Sequence, residues 1–282
     1  MKNFKTLATT LFATSLLAGC AATDPYTPQS DKDFVYDNDY SFAMNVIDGS
    51  LGFHNGLRDA NRPVDADTSP GAMDYLADGV IGFGGGGFGG AFLSMLGTNQ
   101  GNAPLNKSFG LVYVPVKDKS KEEIEKAFAK IDSDIKDTIL KHFDLKFDKI
   151  LVKDSYKYFY FNGTACVQYN FAIGSKEANP NCVFAGYKEK NLLKFSSTTP
   201  DKEIGLFAVI GLTEMSTGQF FNLYSSKEYF AFYPKGFKSD IPFVIHQGKA
   251  HLFIKPKNSE DKTSITFNDL KKISPKVNSY FN

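Results

Sequence analysis

The stretch Ser120–Phe143, SKEEIEKAFAKIDSDIKDTILKHF, decides the fold class. Ser120 followed three residues later by Glu123 is a capping box, which marks the start of a helix. Behind it, apolar residues recur every three or four positions and keep one helical face for about six turns. These residues are Ile124, Ala127, Phe128, Ile131, Ile135, Ile139 and Phe143. Because such a face normally packs on a sheet, we predict one long amphipathic helix over about 120–143 that covers a sheet.

The segments around this helix predict the strands of that sheet. β-Branched and aromatic residues are concentrated between turn residues, which is typical of strands. The predicted strands span 109–116, 156–161, 164–171, 183–187, 192–196, 204–212, 228–233, 243–246 and 249–255. Helix-free connections between most of them favour antiparallel pairing. We therefore predict an α+β domain over 108–282, with a mainly antiparallel sheet.

Two turn signals predict the strand register. Asn162-Gly163 is typical of a type I′ hairpin turn, which sets Phe161 opposite Thr164 and Phe159 opposite Cys166. This pairing places Cys166 on the more polar face of the sheet.

Gln247-Gly248 predicts a second two-residue turn. It sets His246 opposite Lys249 and Val244 opposite His251. The two histidines then share one face as diagonal neighbours, which we expect to be solvated.

The balance of charge excludes one class of partner. The chain has 32 basic and 31 acidic residues, a net charge of +1, so no basic field attracts nucleic acid. Its two arginines, Arg58 and Arg62, lie in a polar loop with nearby aspartates. They are a candidate interaction patch, and local ion pairs are the alternative.

The first twenty residues have a different character from the rest. Two lysines precede an apolar run from Leu7 to Leu17, and Leu17-Ala18-Gly19-Cys20 follows. The run is shorter than the roughly 20 residues that a spanning helix needs. The segment resembles a bacterial lipoprotein signal peptide that ends in a lipobox.

The resemblance implies that residues 1–19 are removed and that Cys20 carries a diacylglycerol and an acyl chain such as palmitate. An ordinary cleaved signal peptide with an incidental cysteine is the alternative. Because Ala21, not aspartate, follows the cysteine, the family rule implies the outer membrane. The body is then expected to face the periplasm, with exposure at the cell surface left open.

The cysteine count agrees with this interpretation. The chain has three cysteines, and a lipid on Cys20 leaves Cys166 and Cys182 as a pair. An oxidising periplasm favours a disulfide between them. Two unrelated buried thiols are the alternative.

Residues 20–107 divide into two unlike parts. Residues 20–40 are polar and read as a lipidated tether. Residues 41–107 read as a Gly-rich, partly helical segment, and its stretch 79–97 is uncharged. As a helix, that stretch would be about 28 Å long, close to a bilayer core.

Glycines in this stretch repeat at the spacing of a double G-x-x-x-G, a pattern that lets helices approach closely; they are Gly82, Gly86 and Gly90. Three interpretations stay open. The stretch packs against the body, inserts into a membrane or self-associates in the manner of glycine-zipper segments, or forms a flexible loop.

Catalytic motifs are not found in the sequence. No nucleophile elbow, zinc-protease helix or calcium loop is present, and the histidine pair lacks a third metal ligand. We expect no catalytic residue, metal or cofactor. The acidic residues Asp132, Asp134 and Asp137 are expected on the solvated face of the long helix. Half-buried sheet packing, with sugar or partner stacking as the alternative, is expected for the tyrosines at 156, 158, 160 and 169.

These observations predict a lipid-anchored envelope protein with a structural or protein-interaction role in a cell-envelope assembly. Its expected partners are the membrane, through the lipid, and an envelope protein or a second copy. Two alternatives remain: a membrane-inserting or self-associating protein acting through 79–97, and an envelope hydrolase using His246 and His251.

Overall fold

The computed structural model describes residues 33–50, 58–61, 108–172, 174, 176–213, 221–234, 239–274 and 277. Its helices are α1 (Phe42–Met44, continued by a π-helical turn Asn45–Gly49), α2 (Lys121–His142), α3 (Thr164–Ala172) and α4 (Phe267–Ile273), with a 3₁₀ turn at Phe221–Ser225. Its strands are β1 (Phe109–Pro115), β2 (Lys146–Lys153), β3 (Tyr156–Asn162), β4 (Asn181–Lys188), β5 (Leu192–Thr198), β6 (Ile204–Thr213), β7 (Tyr229–Tyr233), β8 (Phe243–His246), β9 (Lys249–Leu252) and β10 (Ser264–Ile265).

The strands form two antiparallel sheets. The large sheet has seven strands in the order β10-β9-β8-β7-β1-β6-β5, and the small sheet has three in the order β2-β3-β4. The α+β class is therefore confirmed. No helix among the described residues is both long enough and apolar enough to cross a membrane.

The long helix is confirmed. Ser120 Oγ accepts a hydrogen bond from the Glu123 backbone N–H at 3.4 Å, and the predicted apolar stripe is buried. The stripe packs against one face of the large sheet, which includes Val112 and Ile210, and against one face of the small sheet. All three surfaces belong to a single hydrophobic core. α2 thus joins the two sheets.

The N-terminal segment covers the opposite face of the large sheet. Ser41 Oγ caps α1 by accepting from the Met44 N–H at 3.0 Å. Apolar residues of α1 and its π-helical turn are buried against this face, together with Leu111, Tyr113, Val209 and Phe230. Even residues 33–40, assigned above to the tether, contact the body: Phe34 is buried, and Asp33 accepts a hydrogen bond from the Ser197 N–H at 2.9 Å.

The predicted hairpin at Asn162-Gly163 is wrong. Thr164–Ala172 is a helix, and β3 pairs with β4, so that Phe161 lies opposite Cys182 and Phe159 opposite Phe184. Gly163 has φ +150°, and a Cβ at this position would lie 2.9 Å from the Asp144 carbonyl oxygen. The glycine is therefore needed where the chain passes this carbonyl and enters the helix, not for a hairpin turn.

The type I′ turn lies elsewhere in this region. Asp154 and Ser155 have φ values of 52° and 65°, and they join β3 to β2, a strand that the sequence analysis did not predict. Since β2 and β4 occupy both edges of β3, no edge remains for the segment that begins at Thr164.

The Cys166–Cys182 disulfide is present, but its predicted position on the polar side is wrong. Both cysteines are buried in the core shared with α2. The bond fixes α3 to β4, so it connects a helix and a strand within the hydrophobic interior.

The other strand predictions are confirmed within a few residues, and β8 is confirmed at both ends. The second predicted turn is also confirmed. Gln247 and Gly248 have φ values of 49° and 70°, and β8 pairs with β9 with Val244 opposite His251.

Candidate functional site

The small sheet has an inner and an outer face. The inner face carries Phe159, Phe161 and Phe184, which are buried beneath α2. Alternation along the observed register places the remaining side chains on the outer face. We define this outer face by Lys146, Lys149, Leu151 and Lys153 of β2, Tyr156, Tyr158 and Tyr160 of β3, and Val183, Ala185 and Lys188 of β4.

Exposed apolar side chains are concentrated on the small sheet. Six large apolar residues are exposed among the described residues, and four of them belong to this sheet. Leu151 and Val183 lie on the outer face with 44% and 38% of their surface exposed, and Phe147 and Val152 lie on the other side of β2. The half-buried packing predicted for the tyrosines holds for Tyr156, Tyr158 and Tyr160, whereas Tyr169 belongs to α3 and not to a strand.

β2 is an edge strand. It pairs with β3 along one edge, and no described residue pairs with its other edge. Of its eight residues, all but Ile150 are exposed. Such a strand presents unpaired backbone N–H and C=O groups that can hydrogen bond to another extended chain.

Among the described residues, the lysines of the outer face have no carboxylate partner outside β2. Lys146, Lys153 and Lys188 form no ion pair with any described carboxylate, and the ion pair of Lys149 is with its neighbour Asp148, at 3.7 Å. In contrast, four lysines of α2 pair with acidic residues of the same helix: Lys121 with Glu125, Lys126 with Glu122 and Glu123, Lys130 with Asp134, and Lys136 with Asp137. Among the described residues, the outer face therefore carries an excess of positive charge.

A polar network lies on the inner side of β3, beneath this surface. Lys157 Nζ is 2.6 Å from Asp132 Oδ2 and donates to the Tyr187 hydroxyl oxygen at 3.2 Å. The Tyr187 hydroxyl donates to Asp132 Oδ1 at 2.9 Å, and burial and the Asp132 charge raise the pKa of Tyr187. The network thus connects α2, β3 and β4.

A cleft of about 190 Å³ opens beside this network. It is lined by charged side chains of both signs, with one aromatic ring and one alanine: Glu125, Phe128, Ala129, Asp132, Lys157, Glu189 and Lys190. Its volume is small compared with the roughly 300–1,000 Å³ of typical ligand pockets.

The solvated position predicted for the helix aspartates is wrong for two of the three. Asp132 belongs to the network above, and Asp134 accepts a hydrogen bond from the Tyr229 hydroxyl at 2.6 Å. The reason is that both lie at the border of the apolar stripe, where buried tyrosines reach them. Asp137 is exposed, as predicted.

The solvated position predicted for the two histidines is also wrong. His246 and His251 are 1% and 3% exposed, because α1 covers this face of the large sheet. The Phe42 ring centroid lies 5.5 Å from that of His246 and 4.4 Å from that of His251. Phe230 stacks on His246 at 4.1 Å.

Both ring nitrogens of His246 face oxygen acceptors. Nδ1 is 3.0 Å from the Tyr229 carbonyl oxygen, and Nε2 contacts the Asp201 carboxylate. Burial raises the pKa of Asp201, but the hydrogen bonds from His246 and Lys262 outweigh it and bring the pKa to about 2.

The surroundings of His251 lower its pKa. Burial, and the nearby charge of His246, lower the pKa of His251 to about 3. Its Nδ1 is 3.2 Å from the Lys262 carbonyl oxygen, so this neutral ring donates one hydrogen bond. No group of three metal-ligating side chains is found among the described residues.

The remaining predicted site residues are only partly described. Arg58 is exposed, and its neighbour Asp59 accepts a hydrogen bond from the Ser41 N–H at 2.6 Å, so Asp59 helps to hold α1. Arg62, Cys20 and the three zipper glycines, Gly82, Gly86 and Gly90, lie outside the described residues.

Sequence reasoning missed β2 and its edge. The signal that was available is the Asp154-Ser155 pair between two runs of strand-forming residues.

Comparison with known protein families, with curated proteins and with solved structures finds no match to this chain.

Proposed function

We propose that this chain is a lipid-anchored protein of the bacterial cell envelope, with a non-enzymatic, protein-interaction role in an envelope assembly. The observation that carries the interaction role is the small sheet, where exposed apolar side chains, an edge strand that no described residue pairs on its outer side, and an excess of lysines occur together. Exposed apolar surface of this kind is typical of sites that contact another molecule.

Two further observations support parts of the proposal. The lipobox at Leu17–Cys20 supports the anchor. The burial of His246 and His251 favours an interaction role over a hydrolase, because a catalytic histidine has to reach a substrate.

Metabolic labelling with palmitate tests the anchor. The chain should incorporate the label and sediment with the outer membrane, and the Cys20→Ala variant should do neither. Equal labelling of both forms would overturn the lipid assignment.

Photo-crosslinking in the native envelope tests the interaction role. A photoreactive amino acid replaces Leu151 in one variant and Ile204, an exposed apolar residue of β6 in the large sheet, in a matched control. We expect a discrete protein adduct from position 151 that position 204 does not form. No protein adduct at 151, or the same adducts at both positions, would overturn the role.

A further inference from the structure

We infer that the outer edge of β2, which no described residue pairs, receives an extended, acidic segment of a partner protein, which adds as a fourth strand to the small sheet. This inference rests on the proposed function and names the chemistry of its partner. Strand addition of this type uses main-chain hydrogen bonds for affinity and alternate side chains for specificity.

The main-chain groups of β2 meet the first requirement. β2 is eight residues long, which exceeds the usual five or six of a strand, and its outer edge is free of described partners. One register shift, between Phe147 and Lys149, interrupts its pairing with β3. The run from Lys149 to Lys153 then continues in regular register and is long enough to pair with a short strand.

The side chains of β2 meet the second requirement. Lys146, Lys149 and Lys153 lie on the same face, and the acidic residue within the strand is Asp148, at the register shift. Opposite charges on neighbouring strands contribute roughly 0.2–1 kcal/mol per pair. An added strand with carboxylates on this face would therefore gain favourable interaction free energy at each lysine.

The same lysines disfavour a second copy of this chain. Antiparallel self-pairing of β2 in full register sets Lys146 opposite Lys153 at both ends of the ladder. Like charges directly opposite are destabilising, and lysines are a common device that keeps edge strands from pairing with themselves. The lysines that repel a second copy of β2 attract an acidic strand, so the same charges favour the acidic partner over self-pairing.

Hydrogen–deuterium exchange with a synthetic peptide tests the inference. The protein is the complete mature chain with Cys20→Ala, its disulfide intact. The probe is an eight-residue peptide that alternates valine with glutamate. We expect slower exchange of the β2 amides with peptide present and no change in β5, an edge strand of the large sheet.

Two matched peptides separate strand addition from charge attraction alone. A peptide with lysine in place of glutamate should bind at least about tenfold more weakly, because repulsion replaces attraction at three positions. A glutamate peptide N-methylated on alternate residues keeps the charge but loses main-chain donors, and it should give no protection.

A matched pair of protein variants locates the contact. Lys146→Gln, Lys149→Gln and Lys153→Gln together should weaken peptide binding about tenfold. Lys121→Gln, Lys126→Gln and Lys227→Gln change the net charge equally but remove lysines that have partners elsewhere. This control should bind as the wild type does.

Three results would overturn the inference: no protection of β2, equal protection by the N-methylated peptide, or a β2-mediated dimer of the free protein. Binding of phosphatidylglycerol vesicles through the three lysines without peptide binding would assign the edge to lipid instead. Peptide binding without an envelope adduct at position 151 contradicts the proposed function, whereas an adduct without strand protection contradicts this inference alone.

Discussion

Lys157 Nζ lies 2.6 Å from Asp132 Oδ2, and this contact joins the central strand of the small sheet to the middle of the long helix. The two side chains are 10% and 20% exposed, so the pair is largely removed from water. Because β3 carries β2 at its edge, the position of the proposed docking strand depends on this contact.

We expect Asp132→Ala to destabilise the protein by about 3–5 kcal/mol, because it leaves the Lys157 charge buried without its partner. The double variant Lys157→Met with Asp132→Leu should cost less than Asp132→Ala. Urea unfolding of the single and double variants measures the difference. Glu122→Ala, which removes an exposed partner of Lys126, is the control and should cost less than about 1 kcal/mol. If the double variant loses as much free energy of unfolding as Lys157→Met and Asp132→Leu lose together when measured singly, the two residues are not coupled.

The disulfide should stabilise the core around α3. Its cysteines are 16 residues apart, and closing a loop of that length contributes about 3 kcal/mol in the chain-entropy model. We expect Cys166→Ala with Cys182→Ala to lower the free energy of unfolding by about this amount. Reduction of the wild type with dithiothreitol should match the variant, and an unchanged unfolding midpoint in both would exclude a structural role for the bond.

The N-terminal segment should be an integral part of the body. The Phe42 side chain is 1% exposed and packs on both His246 and His251. Phe42→Ala should therefore lower the free energy of unfolding by about 3–5 kcal/mol. Hydrogen exchange of residues 42–50 should become faster at the same time. Val35→Ala, at a position that is 77% exposed, is the control and should lie within about 0.5 kcal/mol of the wild type.

Stability should fall on acidification because of His251. Its pKa is about 3 in the folded protein and about 6.5 in the unfolded chain, so the unfolded state binds more protons between these values. The free energy of unfolding should therefore fall as the pH drops below about 6.5, and His251→Asn should flatten this dependence between pH 6.5 and 4.5. Chemical unfolding at a series of pH values measures it, and parallel curves for both proteins would contradict the assignment.

Asp201 should affect the stability of the protein in a lower pH range than His251 does. Its folded pKa of about 2 lies below the usual value, so its stabilising effect is complete above about pH 4 and is lost as the pH falls through 2. Asp201→Asn should destabilise the protein at neutral pH, because His246 and Lys262 both lose their carboxylate partner. A variant as stable as the wild type at pH 7 would show that the pair contributes nothing.

The amino-acid sequence determined the features that depend on neighbours along the chain. The period of Ile124, Phe128, Ile131 and Ile135 specifies a helix because only a helix places these residues on one face. Gln247-Gly248 specifies a two-residue turn, and with it the register of β8 and β9, because glycine readily adopts positive φ and the flanking segments have strand character.

Only the tertiary structure decided the features that depend on distant residues. Thr164–Ala172 is helical because β4 takes the edge of β3 that this segment would need, and local propensity does not report that competition. His246 and His251 are buried because α1, some 200 residues earlier in the chain, covers them. The position of β2 at the edge of the described small sheet likewise follows from strand order, since a strand is an edge only by virtue of which strands pair beside it.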